Sequence, residues 1–430
     1  MEFRITPPGG LCGTVRVPGD KSISHRAVML GALARGDTYI ENFLAGADCL
    51  ATIRCFRALG VKFNGPTGEG ILVAHGRGPQ ALQEPTRVLN ASNSGTTMRL
   101  LLGILSGLPF FSVLTGDASL RRRPMGRVTG PLRQMGAQIW GRQEGNLAPL
   151  AVRGGNINAL QYTPPVASAQ VKSAILLAGL LAEGETMVTE PLSSRDHTER
   201  MLKLFGARLE ITGNTIRIRG KQRLEGQRVI VPGDISSAAF LLVAGATVPG
   251  SDITVTEVGI NPTRSGILEV LKQMGAELTI FNQREVSGEP VADIRVKYSP
   301  LKGIPISGEL IPRLIDEIPV LAVAGAVAEG RTVVRDAAEL KVKESNRIAV
   351  IIKELRKFNV AIEELSDGLV VYGGRPLQAT FCRSHRDHRV AMAMTVAGFL
   401  ASGQTVVEDA DCVAVSFPGF FSILNSLRVE

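Results

Sequence analysis

The stretch VPGDKSISHRAVML, residues 17–30, returns as VPGDISSAAFLLVA at residues 231–244. In both copies an aspartate follows a Pro-Gly turn and precedes an apolar segment, which predicts that Asp20 and Asp234 are helix N-caps. Only the first copy carries a lysine, a histidine and an arginine. The first copy is therefore a candidate binding site, whereas a duplicated cap and turn explains the second. The repetition indicates an internally duplicated chain.

Two further helix types recur along the chain. Amphipathic helices end at a residue type suited to the left-handed position just past a helix, in CFRALGVKF, LRQMGAQI, LKLFGARLEI, LKQMGAEL and LRKFNVAIEE, where the stop residues are Gly60, Gly136, Gly206, Gly275 and Asn359. FSILNSLRV is a weaker sixth copy. Helices that are apolar all round, and so predicted to be buried, begin near Lys21, Ser94, Ala169, Ile235, Ile318 and His388. The spacing predicts six units of about 70 residues each.

These units predict an α/β fold of two similar domains with three units each. Each unit combines a buried helix, an exposed helix and short strands such as TIRIRG, and 430 residues at 44% hydrophobic content exceed one compact domain. We expect residues 19–232 to form the N-terminal-half domain. Residues 1–18 and 233–430 should form the C-terminal-half domain, with a hinge near residues 18–20 and 231–234.

Composition excludes several classes of protein. The five cysteines are odd in number and lack metal-type spacing, so we expect reduced thiols and no structural metal. The N-terminus MEFRITPPGG has neither a signal-peptide nor a transit-peptide pattern, and the apolar stretches 174–182 and 318–328 are shorter than the roughly 18–20 residues of a membrane span. We therefore expect a cytoplasmic protein without a membrane partner.

The net charge of +8 suggests anionic partners, either nucleic acid or a small polyanion. Four of the buried helices have polar or basic first turns, in DKSISHR, NASNSGTTMR, VASAQVK and RDHRVAMAM. The free amides and the dipole of a helix start favour anions. Only four tyrosines and one tryptophan offer stacking platforms of those types, which disfavours binding to single-stranded nucleic acid. Several such helix starts around one cleft predict a site for a small polyanion.

Three loops add charge, although each has a second explanation. They are GDASLRRRPMGR with Arg121, Arg122, Arg123 and Arg127, SSRDHTER with Ser193, Ser194 and Arg195, and LKVKESNR with Lys341, Lys343, Glu344 and Arg347. Taken alone, the arginine run is more typical of a solvated surface. Lys343 and Arg347, four residues apart with Glu344 between them, also fit a salt-bridged solvated helix. Asp316 and Glu317, inside RLIDEIPVLAVAG, either cap a helix or transfer protons beside the cations.

The motifs together resemble one enzyme family. GDKSISHRA, NSGTTMR, RRPMG, SAQVKSA, SSRDHTE, LIDEIP, KVKESNRI and RDHRVAMA occur in this order over nearly the whole chain. The chain thereby resembles the 5-enolpyruvylshikimate-3-phosphate synthases, which transfer the enolpyruvyl group of phosphoenolpyruvate to the 5-hydroxyl of shikimate 3-phosphate in the shikimate pathway. The resemblance implies two domains of three βαβαββ units each, an inside-out α/β barrel arrangement, with domain closure on the ligands. It also implies no cofactor, no metal, a monomer, and inhibition by glyphosate.

The resemblance assigns roles residue by residue. It implies that shikimate 3-phosphate is bound by Lys21, Ser22, Arg26, Ser168, Ala169, Gln170, Arg195, Asp316 and Lys343. It implies that phosphoenolpyruvate is bound by Lys21, Gly95, Arg123, Gln170, Arg347 and Arg389. The catalytic residues would be Asp316 and Glu344 as the proton-transfer pair, together with Lys21.

The sequence departs from the family pattern at three positions. Val415 stands where many members have a lysine, so that contact is absent or supplied elsewhere. Ala169 replaces a serine found in some members, and Glu339 stands where some have asparagine, so Glu339 is left out of the predicted site. Gly95 leaves room for glyphosate.

Two alternative functions are weighed against this one. The sister enzymes that transfer enolpyruvyl to a UDP-amino sugar typically have a cysteine in the loop matching GDASLRRRPMGR and an asparagine after the first lysine. Here that loop has no cysteine, and Ser22 follows Lys21. An RNA-end-processing or nucleic-acid-binding protein with related repeats is the third hypothesis, which the basic charge alone would permit.

Overall fold

The computed structural model describes residues 1–429, so the last residue of the predicted C-terminal-half domain lies outside it. The chain divides into two compact units. Unit N consists of Gly19–Val231 together with the short segment Val286–Glu289, and unit C consists of Met1–Pro18, Pro232–Glu285 and Pro290–Glu430. Among the described residues, no helix is long and apolar enough to cross a membrane.

The chain begins in unit C with strands β1 (Phe3–Ile5) and β2 (Gly10–Arg16) and then enters unit N. The helices of unit N are α1 (Lys21–Leu33), α2 (Ala47–Ala58), α3 (Gly95–Ser106), α4 (Gly126–Gln134), α5 (Arg142–Gly145), α6 (Ala169–Leu181) and α7 (His197–Leu204). Its strands are β3 (Arg35–Glu41), β4 (Lys62–Asn64), β5 (Leu72–Arg77), β6 (Leu89–Asn90), β7 (Phe111–Thr115), β8 (Gln138–Gly141), β9 (Leu147–Arg153), β10 (Gln161–Tyr162), β11 (Glu185–Thr189), β12 (Leu209–Thr212), β13 (Thr215–Arg219) and β14 (Arg228–Ile230). Short 3-10 helices lie at Pro79–Ala81 and Leu120–Arg122.

Unit N contains three four-stranded sheets of the same design, ordered β6-β7-β9-β8, β10-β11-β13-β12 and β14-β3-β5-β4. In each sheet the first two strands are parallel and the other pairings are antiparallel. Helix α3 connects β6 to β7, and α6 connects β10 to β11, as parallel neighbours require. The third sheet takes its first strand, β14, from the far end of the unit because no strand of unit N precedes α1.

Unit C continues with helices α8 (Ile235–Thr247), α9 (Gly266–Gln273), α10 (Leu310–Leu314), α11 (Ile318–Val327), α12 (Arg347–Lys357), α13 (His388–Phe399) and α14 (Phe420–Leu427). Its further strands are β15 (Asp252–Gly259), β16 (Glu277–Val286), β17 (Glu289–Lys297), β18 (Pro305–Ile306), β19 (Arg331–Val334), β20 (Ala361–Leu365), β21 (Gly368–Tyr372), β22 (Leu377–Gln378), β23 (Phe381–Arg383), β24 (Ala401–Ser402), β25 (Thr405–Glu408) and β26 (Arg428–Val429). Its 3-10 helices are Ala338–Val342 and Ala410–Val415.

The sheets of unit C repeat the design less regularly. The sheet β18-β19-β21-β20 has the same order of pairings as those of unit N, with α11 between the parallel strands β18 and β19. A five-stranded sheet, β16-β17-β15-β2-β26, includes the N-terminal strand β2, which lies parallel to β15. The third set splits into a sheet β1-β25-β23 and a pair β22-β24.

Each unit has its own hydrophobic core, formed largely by its all-apolar helices. In unit N, α3 and α6 approach closely, because a Cβ atom at Gly103 would lie 2.2 Å from the carbonyl oxygen of Ala174. In unit C, every residue of α8 and α13 is buried. A helix that is apolar on all sides is stable only when it is enclosed in this way.

The local predictions of helix starts and ends are confirmed. The six buried helices begin at or within one residue of the predicted positions. All five stop residues have positive φ, from 68° at Asn359 to 107° at Gly136, which is the conformation that glycine and asparagine favour. The side chain of Asp20 accepts a hydrogen bond from the Ile23 N–H at 2.9 Å, and that of Asp234 accepts one from the Ser236 N–H at 2.8 Å. Both aspartates are therefore N-caps.

Candidate active site

Most of the predicted site residues of unit N lie at or near the starts of its three all-apolar helices, and Arg123 and Arg195 lie in loops. At the start of α1, the Lys21 ammonium lies 3.2 Å from Asp48 Oδ2, and both side chains are mostly buried. Arg26 lies one turn further along, where its Nη1 donates to the carbonyl oxygen of Ser22 at 3.0 Å. Ser22 and Arg26 therefore share one face of the helix.

Arg26 is held from three sides. Its Nε donates to Thr198 Oγ1 at 2.6 Å, and its Nη2 donates to Ser173 Oγ at 2.7 Å. Burial lowers the pKa of Arg26 to about 10, which still leaves it protonated at neutral pH. Thr198 and Ser173 were missed from the sequence because they lie far from Arg26 along the chain. These hydrogen bonds fix the position of the Arg26 guanidinium in the helix that follows the first VPGD turn.

The start of α3 combines a cap, a glycine and two arginines. Ser94 Oγ accepts a hydrogen bond from the Thr97 N–H at 3.1 Å, which places Gly95 as the first helical residue. A Cβ atom on Gly95 would lie 2.8 Å from Arg99 Nη1 and 3.5 Å from Arg123 Nη1. Gly95 therefore marks a position where backbone amides and two guanidinium groups approach one another, as an anion site requires.

Arg123 differs from its two preceding neighbours in the arginine run. Arg121 and Arg122 are exposed, as the solvated-surface interpretation predicts, whereas Arg123 is buried. Its Nη2 donates to Asn93 Oδ1 at 2.5 Å, and its Nη1 donates to the Asn93 carbonyl oxygen at 3.3 Å. The run thus combines two exposed arginines, Arg121 and Arg122, with a buried one, Arg123, whose position is fixed by hydrogen bonds.

The start of α6 is joined to the start of α3 through Gln170. Gln170 Oε1 accepts from Arg99 Nη1 at 2.6 Å, and Gln170 Nε2 donates to Thr96 Oγ1 at 2.9 Å. Ser168 caps α6 by accepting from the Val171 N–H at 3.5 Å, and Ala169 is the first helical residue. Two of the predicted anion-binding helix starts are therefore neighbours in unit N.

Behind the start of α6, Lys172 forms a buried charge cluster. Its ammonium lies 2.7 Å from Glu190 Oε2 and 2.7 Å from Glu199 Oε1. Burial alone would lower the pKa of Lys172, but the two carboxylates outweigh burial and raise it. Glu190 also accepts from the Ser194 N–H and Oγ, at 3.2 and 2.5 Å. The cluster therefore fixes the loop that carries Ser194 and the adjacent Arg195.

A buried chain of polar side chains connects α1, α2 and α3. His25 Nδ1 lies 2.7 Å from Thr52 Oγ1, Thr52 Oγ1 lies 2.8 Å from Thr97 Oγ1, and Thr97 Oγ1 donates to Ser94 Oγ at 2.8 Å. Burial, together with the charge of Lys21 and Arg26, lowers the pKa of His25 well below its usual value. His25 is therefore neutral, and it orders the cap of α3 without adding charge.

In unit C, the predicted residues gather around Asp316, which is largely buried. Asp316 Oδ1 accepts from Arg347 Nη1 at 3.2 Å and lies 3.7 Å from Lys343 Nζ and 3.9 Å from Arg389 Nε. Glu344 Oε2 lies 2.6 Å from Arg347 Nη2. Two carboxylates and three cations predicted from separate motifs thus form one cluster.

Arg347 is the central cation of this cluster, and Asp387 anchors it. Its Nε and Nη2 donate to the two oxygens of Asp387 at 2.9 and 3.2 Å, a bidentate pairing. Burial opposes the charge of Arg347, but Asp387, Glu344 and Asp316 outweigh burial and raise its pKa. Burial would likewise raise the pKa of Asp387, yet Arg347 outweighs it and holds that pKa below its usual value. Asp387 also caps α13 by accepting from the Arg389 N–H.

Two alternative interpretations from the sequence are wrong. Lys343 and Glu344 precede α12, and Arg347 is its buried first residue, so the KVKESNR motif is not one solvated helix. Glu317 occupies the N-cap position of α11 without a side-chain capping bond and instead accepts a hydrogen bond from Ser236 Oγ. Asp316 faces the cations. Neither acidic residue merely caps a helix.

The two sets of residues suit different tasks. Unit N presents helix N-termini beside lysine and arginine side chains, which favours binding of phosphate and carboxylate groups. Unit C presents two carboxylates among cations, an arrangement that can accept and return protons while stabilising negative charge.

Val415, at the position where many members of the family have a lysine, is the half-buried last residue of the 3-10 helix Ala410–Val415.

Comparison with known proteins identifies relatives over the full chain. A family model described as EPSP synthase (3-phosphoshikimate 1-carboxyvinyltransferase) matches residues 5–424. The 3-phosphoshikimate 1-carboxyvinyltransferase of Pelotomaculum thermopropionicum is 62% identical, and that of Desulforamulus reducens is 61% identical, each over 100% of both chains.

Solved structures agree with this relationship. The EPSP synthase structure from Acinetobacter baumannii is 47% identical with a TM-score of 0.89, covering 99% of this chain and 98% of that one. The enolpyruvyl transferase NikO from Streptomyces tendae is 18% identical with a TM-score of 0.80, covering 99% and 96%, and it supports the fold alone. The predicted α/β fold class of repeated units with buried helices is confirmed.

Proposed function

Because the chain belongs to the EPSP synthase (3-phosphoshikimate 1-carboxyvinyltransferase) family, we propose that it transfers the 1-carboxyvinyl group of phosphoenolpyruvate to the 5-hydroxyl of shikimate 3-phosphate, releasing phosphate. The observation that carries the residue assignment is the cluster in unit C, where Asp316 lies within 4 Å of Lys343, Arg347 and Arg389. A carboxylate so surrounded stays ionised and can take a proton from a bound hydroxyl.

Shikimate 3-phosphate is assigned to the starts of α1 and α6 and to Arg195 in unit N, together with two residues of unit C. Its ligands in this proposal are Lys21, Ser22, Arg26, Ser168, Ala169, Gln170, Arg195, Asp316 and Lys343. The rigid placement of Arg26 by Thr198 and Ser173 supports this assignment. A cation that is already fixed loses little conformational entropy when a phosphate binds beside it.

Phosphoenolpyruvate is assigned to residues that offer amides and guanidinium groups. Its ligands in this proposal are Lys21, Gly95, Arg123, Gln170, Arg347 and Arg389. Planar guanidinium groups match the geometry of carboxylate and phosphate oxygens, and a glycine at a helix start lets an anion approach the backbone closely.

In the proposed mechanism, side chains of the protein carry the proton transfers. The 5-hydroxyl loses its proton and attacks C2 of phosphoenolpyruvate while the methylene carbon gains a proton and becomes a methyl group. The tetrahedral intermediate then loses one methyl proton and its phosphate, which restores the double bond. Asp316 and Glu344 hold the transferred protons, and the surrounding cations, including Lys21, stabilise the negative charge that develops.

Substitution of the two carboxylates tests this mechanism. In Asp316→Ala and Glu344→Gln we expect phosphate release from shikimate 3-phosphate and phosphoenolpyruvate to fall by about 100-fold or more, the scale of a lost acid or base. Glu339→Gln is the matched control, since Glu339 lies outside the assigned site, and it should keep its activity. Full activity in both test variants would refute the assignment. Phosphate release with a UDP-amino sugar instead of shikimate 3-phosphate would favour the sister reaction.

Gly95 is proposed to permit inhibition by glyphosate. A methyl group there would lie 2.8 Å from Arg99 Nη1, the end of a flexible side chain, so Gly95→Ala should fold and turn over substrate. The same methyl group would crowd glyphosate at the helix start, and inhibition should be lost. Gly130→Ala is the control, because a Cβ atom there meets nothing within 4 Å. Unchanged inhibition of Gly95→Ala would contradict the placement.

The proposal extends to the setting of the enzyme. We infer a cytoplasmic monomer that binds its two small anionic substrates and neither nucleic acid nor membrane. The basic charge is then accounted for by the anionic groups of the substrates. Light scattering of the purified protein at the concentrations used for turnover checks the oligomeric state, and a dimer mass would contradict the monomer.

A further inference from the structure

Arg264 is a buried cation that none of the predicted motifs contains. It lies between β15 and α9, in the sequence NPTRSG, where its N–H donates to the carbonyl oxygen of Asn261 at 2.8 Å. Its side chain is only 3% exposed. A buried guanidinium remains charged and requires carboxylates or hydrogen-bond acceptors around it.

One end of this guanidinium contacts the second VPGD turn. Nη2 donates to Ser236 Oγ at 2.7 Å and lies 3.4 Å from Oδ1 of Asp234, the N-cap of α8. Ser236 Oγ in turn donates to Glu317. The second copy of the repeat, which carries no cation of its own, thus receives one from another segment of unit C.

The other end of the guanidinium contacts the proposed proton-transfer carboxylate. Nη1 lies 3.5 Å from Asp316 Oδ2 and 4.0 Å from Glu317 Oε1. The opposite oxygen of Asp316, Oδ1, faces Arg347, Lys343 and Arg389. The two oxygens of Asp316 therefore have different partners, and Arg264 is the cation on the side of the α8 cap.

We propose that Arg264 is a positioning residue for Asp316, which it holds in the ionised form with Oδ1 turned towards Arg347 and Lys343. The proposal rests on the proposed function, in which Asp316 accepts the substrate proton. The Arg264 guanidinium lies within 4 Å of carboxylate oxygens of Asp234, Asp316 and Glu317, and its attraction for Asp316 Oδ2 favours the orientation in which Oδ1 faces Arg347 and Lys343. Its charge within about 4 Å favours the ionised carboxylate.

Removing this charge should change the ionisation of Asp316. Without Arg264, Asp316 keeps the cations Arg347, Lys343 and Arg389 near its Oδ1, but it loses the positive charge that lies between its Oδ2 and the carboxylates of Asp234 and Glu317. Like charges nearby raise the pKa of a carboxylate. The acidic limb of the kcat pH profile should therefore move to higher pH.

The experiment measures kcat and both KM values by phosphate release from about pH 5 to 9 in wild type, Asp316→Asn, Arg264→Met and Arg264→Lys. We expect Asp316→Asn to lose the acidic limb. Arg264→Met should move that limb upward by about one pH unit and lower kcat at neutral pH by about 10-fold, with both KM values within about threefold of wild type. Arg264→Lys, which keeps the charge, should restore most of the limb position.

Arg313→Met is the matched control. Arg313 Nε donates to the carbonyl oxygen of Pro262, in the same loop as Arg264, and its Nη1 pairs with Glu269 on the surface. This variant loosens the loop without removing a charge beside Asp316, so its pH profile should match that of wild type. An equal shift in Arg313→Met would mean that loop order, and not the charge of Arg264, governs the limb.

The outcomes separate this inference from the proposed function. If Asp316→Asn keeps the acidic limb, the assignment of Asp316 itself fails. If Asp316→Asn loses the limb but Arg264→Met leaves it in place, only the role of Arg264 is overturned. Should Arg264→Met not fold, Arg264→Met with Asp234→Asn removes one of the carboxylates that Arg264 contacts while asparagine retains the helix cap, and the same limb shift, reduced in size, is expected.

Discussion

In both unit N and unit C a VPGD turn at the unit boundary leads into an apolar helix, but the two units obtain their cations differently. In unit N, α1 itself carries Lys21 and Arg26. In unit C, α8 carries no cation, and Arg264 reaches its cap Asp234 from a loop 30 residues further along the chain. A repeat whose own sequence contains no cation can therefore still have a cation beside its helix cap.

A second contrast concerns the buried cation that each unit surrounds with carboxylates. Lys172 in unit N lies inside α6 between Glu190 and Glu199, and it supports a loop. Arg347 in unit C opens α12 and contacts Asp316, a proposed reacting group. An ammonium is a compact charge, whereas a guanidinium binds carboxylates in a plane and fixes their orientation. A lysine therefore suits a cluster that stabilises a loop. An arginine suits a site where the orientation of a carboxylate matters for the chemistry.

The largest expected effect is that of Lys172→Met, which leaves two buried carboxylates without their cation. We expect the free energy of unfolding to fall by about 3–5 kcal/mol, as when one partner of a buried pair is removed. The KM for shikimate 3-phosphate should rise, because Glu190 would hold the Ser194 loop less firmly. Urea unfolding and steady-state kinetics measure both. Lys172→Met with Glu199→Gln should recover part of the stability, and a loss below about 1 kcal/mol in the single variant would contradict the support role.

A smaller, pH-dependent effect is expected for Asp387→Asn. Arg347 holds the pKa of Asp387 below its usual value of about 3.9, so the ionised form stabilises the fold above that pH and loses this contribution as pH falls through the lowered pKa. At neutral pH the variant should be less stable by about 2 kcal/mol, the scale of hydrogen bonds to a charged group. The difference in stability between the variant and wild type should become smaller as the pH falls below about 4. Urea unfolding across this range tests the idea.

The control for that series is Asp252→Asn, which breaks a solvated pair with Arg295 at 2.5 Å. Exposed pairs contribute little, so the loss should be much smaller than for Asp387→Asn. The distinction between the buried and the solvated pair would fail on either of two results. One is a difference in the free energy of unfolding between Asp387→Asn and wild type that stays constant down to about pH 2. The other is an equal loss of stability in both variants.

The smallest effects compare the two VPGD caps directly. Asp20→Ala should cost about 1 kcal/mol of stability, the usual contribution of an N-cap. Asp234→Ala should cost about 1 kcal/mol more, because it removes a carboxylate from the buried Arg264 as well as the cap. Thermal or urea unfolding of both variants measures the difference. Equal losses would show that Arg264 draws no stability from Asp234.

Local sequence was enough to predict the helices, because the periodicity of apolar residues, the N-caps and the stop residues each depend on a few neighbouring residues. Asp20, Asp234 and the stop residues such as Gly136 needed no knowledge of distant segments. Arg264 lies 28 residues from Ser236, and Arg26 lies 172 residues from Thr198, so nothing local signals either contact. An arginine followed by a helix start in a largely apolar region, as in NPTRSGIL, was the one available signal for Arg264.

The sequence also gave no sign of how strands are shared between repeats. The spacing of Lys343 and Arg347 left one solvated helix open as an explanation, yet α12 begins only at Arg347, because Asn346 caps it by accepting from the Ala349 N–H. The site assignment came from motifs and stays a prediction. What the structure adds is that Asp316, Lys343, Glu344, Arg347 and Arg389 form one cluster.

The position of β2 constrains the order in which the sheet of unit C can form. The neighbours of β2 in the sheet are β15 and, on its other side, β26, whose Val429 carbonyl oxygen accepts from the Gly9 N–H at 3.0 Å. All of Gly19–Val231 lies between β2 and β15 in the chain, so the ribosome synthesises it before β15 emerges. During synthesis, β2 therefore cannot pair with either neighbour until the main segment of unit N has been made.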